Sequence, residues 1–281
     1  MKLTAFSLSD TGRQRAHNED SHLVDGDLSL YAVADGMGGH QGGEEASRIA
    51  IDVLSTEVKK RLEQLASAAL ARSRADTDEP DASTAESEPF DPKAYVDVPT
   101  DPFIEIGPAP AVVMRAAARK ASSAVYEAAK KRPDLHGMGT TLTAMLFADD
   151  RMHIVHAGDS RAYMLRDGKL RQLTEDHSWI QEQVNAGMMT EEEAKGSQFR
   201  HIITRSVGFE RDVRVDSTGI PVMSGDRFLL CSDGMSNYIE NGELERLMGE
   251  MPADGLPAVL VELANDRGGD DNITVIVIAA D

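Results

Sequence analysis

Cysteine is almost absent from this chain: Cys231 is the single one in 281 residues. One thiol closes no internal disulfide, so a reducing compartment is expected. No Cys/His cluster stands at metal-ligand spacing, which sets aside structural zinc. Basic residues are scarce as well. Lys and Arg number 29 against 48 Asp and Glu, a formal net charge of −19. Nucleic acid rewards neutralisation of its phosphates by Lys and Arg, so it is excluded as a partner, and so is an anionic membrane surface. No run approaches the roughly 20 apolar residues that span a bilayer. Met1–Phe6 holds no apolar core long enough for a signal peptide. A soluble, cytoplasmic protein is expected. There is no Walker-type loop, no dinucleotide fingerprint and no Gly-x-Ser-x-Gly elbow, so nucleotide binding and serine-nucleophile chemistry by those routes find no support.

What the chain does have is acid beside glycine at the ends of apolar runs. The stretch Tyr31-Ala32-Val33-Ala34-Asp35-Gly36-Met37-Gly38-Gly39 delivers one carboxylate into a glycine-dense turn ahead of a long helical pattern. Taken alone it also reads as an ordinary strand-to-helix connection. The same arrangement recurs at Glu19-Asp20, at Asp233-Gly234, at Asp270-Asp271-Asn272 and, with Gly158 before it, at Asp159. Acids gathered this way suit hard cations such as Mg2+ and Mn2+, which prefer oxygen ligands. Two divalent ions held by bridging carboxylates suit hydrolysis of a phosphate ester, with a nearby arginine gripping the phosphate oxygens.

The remaining pattern reads as α+β. Strands are predicted at 3–8 and as a hairpin over 22–34, turned at Asp25-Gly26. Helices follow from Gly43 to near Leu70 and over 111–131, the first apolar at Ala46, Ala50, Val53, Val58, Leu62 and Leu65. Strands at 140–148, 151–157 and 160–166 come as serial hairpins, which means antiparallel pairing. Further strands are predicted at 213–219, 226–231 and 273–278, with helices at 241–249 and 255–266. Residues 71–110 differ in kind: ten acids against Arg72, Arg74 and Lys93. They read as an acidic, mobile insertion. The helix-and-loop excursion at 176–211 interrupts the strand series and reads as a lid. Cys231 is placed in the core, Trp179 in packing within the excursion, and His153 and His156 on opposite-face or surface positions outside the site. Arg161 is placed in a salt bridge that fixes the Asp159 turn.

Six motifs then stand in order: Arg15-x-x-Asn18-Glu19-Asp20, Asp35-Gly36-Met37-Gly38-Gly39, Gly139-Thr140-Thr141, Gly158-Asp159-Ser160-Arg161, Ser232-Asp233-Gly234 and Asp271-Asn272-x-Thr274. With them the chain resembles the PPM family (type 2C) of metal-dependent serine/threonine protein phosphatases, in its bacterial form. The resemblance covers nearly the whole chain. It implies one catalytic domain over 1–281, with two packed antiparallel sheets flanked on both sides by helices and a flap at 176–211. It implies Mn2+ or Mg2+ as cofactor, two ions bound tightly and a third more weakly. Asp35 would bridge the tight pair, with the Gly36 carbonyl on the first ion and Asp233 and Asp271 on the second. Asp159 with Asp233 would hold the third ion. Glu19 and Asp20 would act mainly through water, and Arg15 would bind the substrate phosphate. Phosphorylated proteins, a cognate bacterial Ser/Thr kinase among them, are the implied partners of a monomer. Position 37 is Met where eukaryotic members carry His, so leaving-group protonation falls to water, His40 or another group. The competing reading is a non-catalytic regulatory or phosphoprotein-binding module, which would be expected to lose Asp35, Asp233 or Asp271; all are present.

Overall fold

The computed structural model describes residues 1–38, 41–75, 109–199 and 201–281. Gly39, His40 and residues 76–108 lie outside the described residues, and with them the expectations for His40 and for most of the acidic insertion. Strands β1 (Leu3–Asp10), β2 (Asp20–Asp25) and β3 (Leu30–Met37) come first, followed by helices α1 (Gln41–Ala75) and α2 (Ala109–Lys131). Then run β4 (Gly139–Thr140), β5 (Leu142–Ala148), β6 (Arg151–Ala157), β7 (Arg161–Arg166) and β8 (Lys169–Gln172). Short helices α3 (Trp179–Asn185) and α4 (Glu191–Lys195) occupy the excursion. The chain continues through β9 (Asp216–Pro221), β10 (Arg227–Cys231), α5 (Asp233–Ser236), α6 (Asn241–Glu250), α7 (Leu256–Asp266) and β11 (Ile273–Ala280).

Two antiparallel sheets form, ordered β1-β11-β10-β7-β8 and β2-β3-β5-β6-β9, with β4 paired to β3. Their central strands carry apolar residues without interruption because both of their faces are covered. Successive side chains on a strand point to opposite faces. On β3, Leu30, Ala32 and Ala34 pack under α1 and α2, while Tyr31 and Val33 enter the layer between the sheets. On β11, Ile273, Val275 and Val277 pack under the C-terminal helices, while Ile276 and Ile278 enter the middle layer. The result is an α-β-β-α sandwich. Each fully buried large side chain contributes roughly 1.5–3 kcal/mol, so the strand ends from which the acids project are firmly seated.

Two expectations change. The strand placed at 213–219 is β9, at Asp216–Pro221. His153 and His156 are each 2% exposed, not on the surface. One face of β6 packs Val155 and Ala157 under α1 and α2, and the other packs Met152 and Ile154 into the layer between the sheets, so an odd spacing still leaves both rings inside. Cys231 is buried in the core, as expected. Among the described residues, no helix is long and apolar enough to cross a membrane.

Candidate active site

Pairing of β2 with β3 sets Asp20 opposite Asp35. The hairpin thereby closes the gap between two separate motifs. The Gly139-Thr140-Thr141 motif clamps the Asp35 backbone. Its N–H donates to Thr141 Oγ1 at 2.9 Å, and its carbonyl accepts from the Thr141 N–H and the Thr140 hydroxyl, each at 2.9 Å. From the other sheet, Asp233 follows β10 as the first residue of α5, and Asp271 precedes the adjacent β11.

Two polar side chains stitch the sheets together here. The Ser232 hydroxyl donates to Asp20 Oδ2 at 2.8 Å and accepts from the Thr274 N–H at 2.9 Å. Asn272 Oδ1 accepts from the Glu19 N–H at 2.7 Å, and its Nδ2 donates to the Thr11 and His17 carbonyls at 2.9 Å. Arg15 Nη2 donates to Asp271 Oδ2 at 2.7 Å, and the arginine side chain remains 48% exposed at the rim. Asp159 enters from the β6–β7 turn, where Thr141 Oγ1 bonds Ser160 Oγ at 2.7 Å.

Burial and mutual repulsion raise the pKa of four of these acids. Burial dominates each. Asp35 also faces Asp20, Asp233, Asp159 and Asp271. Asp159 faces Asp233 and Asp176, and Asp233 faces Asp271. Burial pushes Asp20 up to about 7, against hydrogen bonds from Thr274 and Ser232 that pull it down. Two oxygens, Asp20 Oδ1 and Asp233 Oδ1, are buried with no hydrogen-bond partner. Such a group costs about 1–3 kcal/mol when left unmatched. A hard, oxygen-seeking divalent cation fits both the orphaned oxygens and the surplus of negative charge. Among the described residues, no three acidic or imidazole groups close into a finished cage; the carboxylates border a shared space.

Gly36 and Gly43 pack the start of α1 flush against the end of β3. A Cβ on Gly36 would fall 2.5 Å from the Glu19 carbonyl oxygen and closer still to that of Gly43. A Cβ on Gly43 would overlap the Glu19 carboxylate. Glu19, 8% exposed, therefore sets its acid against the first turn of α1, where a helix favours negative charge.

The structure thus brings together Asp20, Asp35, Asp159, Asp233, Asp271 and Arg15. It corrects Arg161, whose Nη2 pairs with Asp176 at 2.6 Å, not with Asp159. Sequence reading assigned no role to Thr140, Thr141, Ser232 and Asn272, although all lie inside the quoted motifs. It also passed over Asp176 and His177, read only as the lead into a helix. The signal was there: an acid and an imidazole side by side just after a short strand.

A two-sheet sandwich that gathers acids from five chain segments beside a rim arginine has the build of a phosphoester hydrolase. Comparison with known proteins agrees. The protein phosphatase 2C family model matches residues 11–256. The chain is 40% identical over 270 residues to the serine/threonine protein phosphatase PstP of Mycobacterium tuberculosis, covering 96% of this chain and 43% of PstP. It therefore spans less than half the length of that relative. It is 33% identical over 277 residues to the serine/threonine phosphatase stp of Listeria monocytogenes, covering 97% of this chain and 94% of that one. The crystal structure of the PstP catalytic domain in complex with 2 manganese ions matches with a TM-score of 0.75 at 35% identity, over 99% of each chain. The chain belongs to the protein phosphatase 2C family.

Proposed function

We propose that this chain is a metal-dependent serine/threonine protein phosphatase that hydrolyses phosphoserine and phosphothreonine on proteins. The observation that carries it is the convergence of five carboxylates from five separate chain segments, with Asp20 Oδ1 and Asp233 Oδ1 left buried and unpartnered among them. Asp35, the Gly36 carbonyl, Asp233 and Asp271 would hold two divalent ions, Mn2+ or Mg2+, and Asp159 with Asp233 a weaker third. Manganese in the PstP structure supports the choice of metal. Bound there, the cations would supply Lewis-acid chemistry: activation of water and neutralisation of phosphate charge.

The chain's own residues do the rest. Arg15 presents a guanidinium to the phosphate oxygens, held at the rim by Asp271. Ser232 occupies Asp20 Oδ2, which leaves Oδ1 to accept from water and orient it. Glu19, backed by Asn272, supports the same face through the start of α1. The single domain over 1–281, with 176–211 as its flap, belongs to this reading. So do cytoplasmic phosphoproteins as substrates, a cognate Ser/Thr kinase among them, and action as a monomer.

The test is hydrolysis of an aryl phosphate and of a phosphothreonine peptide with Mn2+, with and without chelator. Turnover that appears with metal and vanishes with chelator supports the reading; no metal-dependent turnover on either substrate would overturn it.

A further inference from the structure

The excursion at 176–211 is tied at both of its roots to segments that hold the acids. At one root, the Val207 and Thr140 backbones exchange hydrogen bonds of 2.8 and 2.9 Å, and Thr140 holds the Asp35 carbonyl. At the other root, the His177 N–H donates to the Gly158 carbonyl at 2.8 Å, and the Gly158 N–H donates to His177 Nδ1 at 3.1 Å. Gly158 immediately precedes Asp159. Its φ is +116°, and a Cβ there would lie 2.6 Å from Thr141 Cβ, so the turn has one conformation and one residue that fits it.

The Gly158 bond sets the state of the imidazole. A backbone N–H only donates, so Nδ1 must accept, and the neutral ring carries its proton on Nε2. Nε2 faces Asp216 Oδ2 on β9 at 3.1 Å. Asp216 Oδ1 accepts from Arg205 Nη1 at 2.7 Å, and Arg205 belongs to the excursion. Arg205 Nη1 also stands 2.8 Å from Nε2, two donors brought together by their common acceptor. The ring is 7% exposed. One face is covered by His156, at 4.6 Å between centroids, and His156 is itself fixed by Thr143 Oγ1 at 2.9 Å and the Glu175 carbonyl at 3.0 Å. Every polar atom of His177 is committed, and the chain of contacts runs from Arg205 through Asp216 and His177 to Gly158.

We propose that His177 is a positioning residue: it holds the Gly158–Asp159 turn and passes the seating of the excursion, through Asp216 and Arg205, to Asp159. This deepens the phosphatase reading and rests on it for the role of Asp159. Outer partners that orient a metal-binding group typically carry about 10–100-fold in metal affinity or activity, and His177 orients the backbone from which Asp159 projects.

Trp179, the single tryptophan, makes the idea measurable. It follows His177 closely and packs edge-on against Phe199, 5.2 Å between centroids. Full-length protein is titrated with Mg2+, read by Trp179 fluorescence, and with Mn2+, read by aryl phosphate hydrolysis. Wild type is expected to change its emission as Mg2+ binds. In His177→Ala the emission response is lost and the Mn2+ concentration for half-activation rises about 10–100-fold, while KM for the aryl phosphate stays near wild type. His177→Asn returns an acceptor to the Gly158 N–H but not the contact to Asp216. It should restore half-activation and leave the emission response lost. Arg205→Ala should lose the emission response with half-activation near wild type, and it answers the question if His177→Ala does not fold. The proposal is overturned if the variants match wild type in both readouts. It is equally overturned if His177→Ala and His177→Asn lose activity alike in step with thermal stability. A wild type without metal-dependent turnover sinks the phosphatase reading instead, a result distinct from both, and the fluorescence arm still decides the coupling.

Discussion

Asp20 stands directly across the β2–β3 ladder from Asp35, with one oxygen bonded to Ser232 at 2.8 Å and the other buried without a partner. Opposed like charges on neighbouring strands destabilise a sheet. Here the pair sits where β3 stops being apolar and meets Asp233, Asp159 and Asp271. The fold accepts local repulsion at one point because the packed layers on either side of β3 hold its end in place. A site of this kind trades stability for charge density, and the expected outcomes below follow from that trade.

Asp35→Asn should lower Mn2+-dependent hydrolysis by about 100-fold or more. It should also raise the melting temperature of the metal-free protein, since it removes a buried carboxylate that faces four others. Activity assays and calorimetry in chelator check both. Near-normal Mn2+-dependent activity in this variant would show that Asp35 is no shared ligand.

The metal-free protein should melt at lower temperature at pH 8 than at pH 6. Asp20 is raised from 3.8 to about 7 in the fold. A raised carboxylate pKa means the folded state favours the proton. The associated stability is complete below the unfolded value and is lost as pH climbs through the folded one. A divalent cation nearby would favour the charged carboxylate, so Mn2+ should stabilise the protein more at pH 8 and release protons on binding. Identical melts at the two pH values in chelator would contradict this.

Arg15→Ala should raise KM for a phosphothreonine peptide about tenfold, a factor worth about 1.4 kcal/mol, with a smaller effect on kcat. Arg15→Lys should not recover it, because an ammonium lacks the two-pronged donor geometry. Stability should barely move, since the Arg15–Asp271 pair is half exposed and such pairs contribute about 0–1 kcal/mol. Steady-state kinetics and thermal melts separate binding from folding.

Gly36→Ala should destabilise by about 1–3 kcal/mol through overpacking, because its Cβ would be forced against Gly43 and Glu19. Gly26→Ala, with no atom within 4 Å of the added Cβ, serves as the control and should be near neutral. Denaturant melts of the two variants give the comparison directly.

Asp159→Ala should lower turnover strongly while leaving the two tight metals bound. Its acidic neighbours are Asp233, Asp176 and Asp35, with the Arg161 charge opposing them. A cation held by few carboxylates keeps most of its waters and binds weakly. Calorimetric Mn2+ titration should show the weak site gone and the tight sites intact. Unchanged stoichiometry with a lower melting temperature would instead make Asp159 a turn-holding residue.

Much of this was legible in the chain itself. The Asp25-Gly26 turn declared the β2–β3 hairpin, helical spacing from Ala46 to Leu62 declared α1, and acids beside glycine marked Asp35, Asp233 and Asp159. These are local signals, carried by backbone preference and side-chain periodicity within a few residues. Long-range partner choice is a different kind of information. A strand that is apolar on both faces, as β10 and β11 are, leaves the stacking of its sheet unspecified. Only the packed sandwich decides that Ser232 reaches Asp20 and that Asn272 reaches Glu19, each across two sheets. The same packing turns Arg161 towards Asp176, because that acid is carried back over the β6–β7 turn while Asp159 points into the site. It also buries His156 and His177 with their rings 4.6 Å apart, since both faces of β6 are covered. The sequence determined which groups the site would contain; the close packing of two sheets, where each neutral or charged polar group must find a partner once water is gone, decided which of them meet.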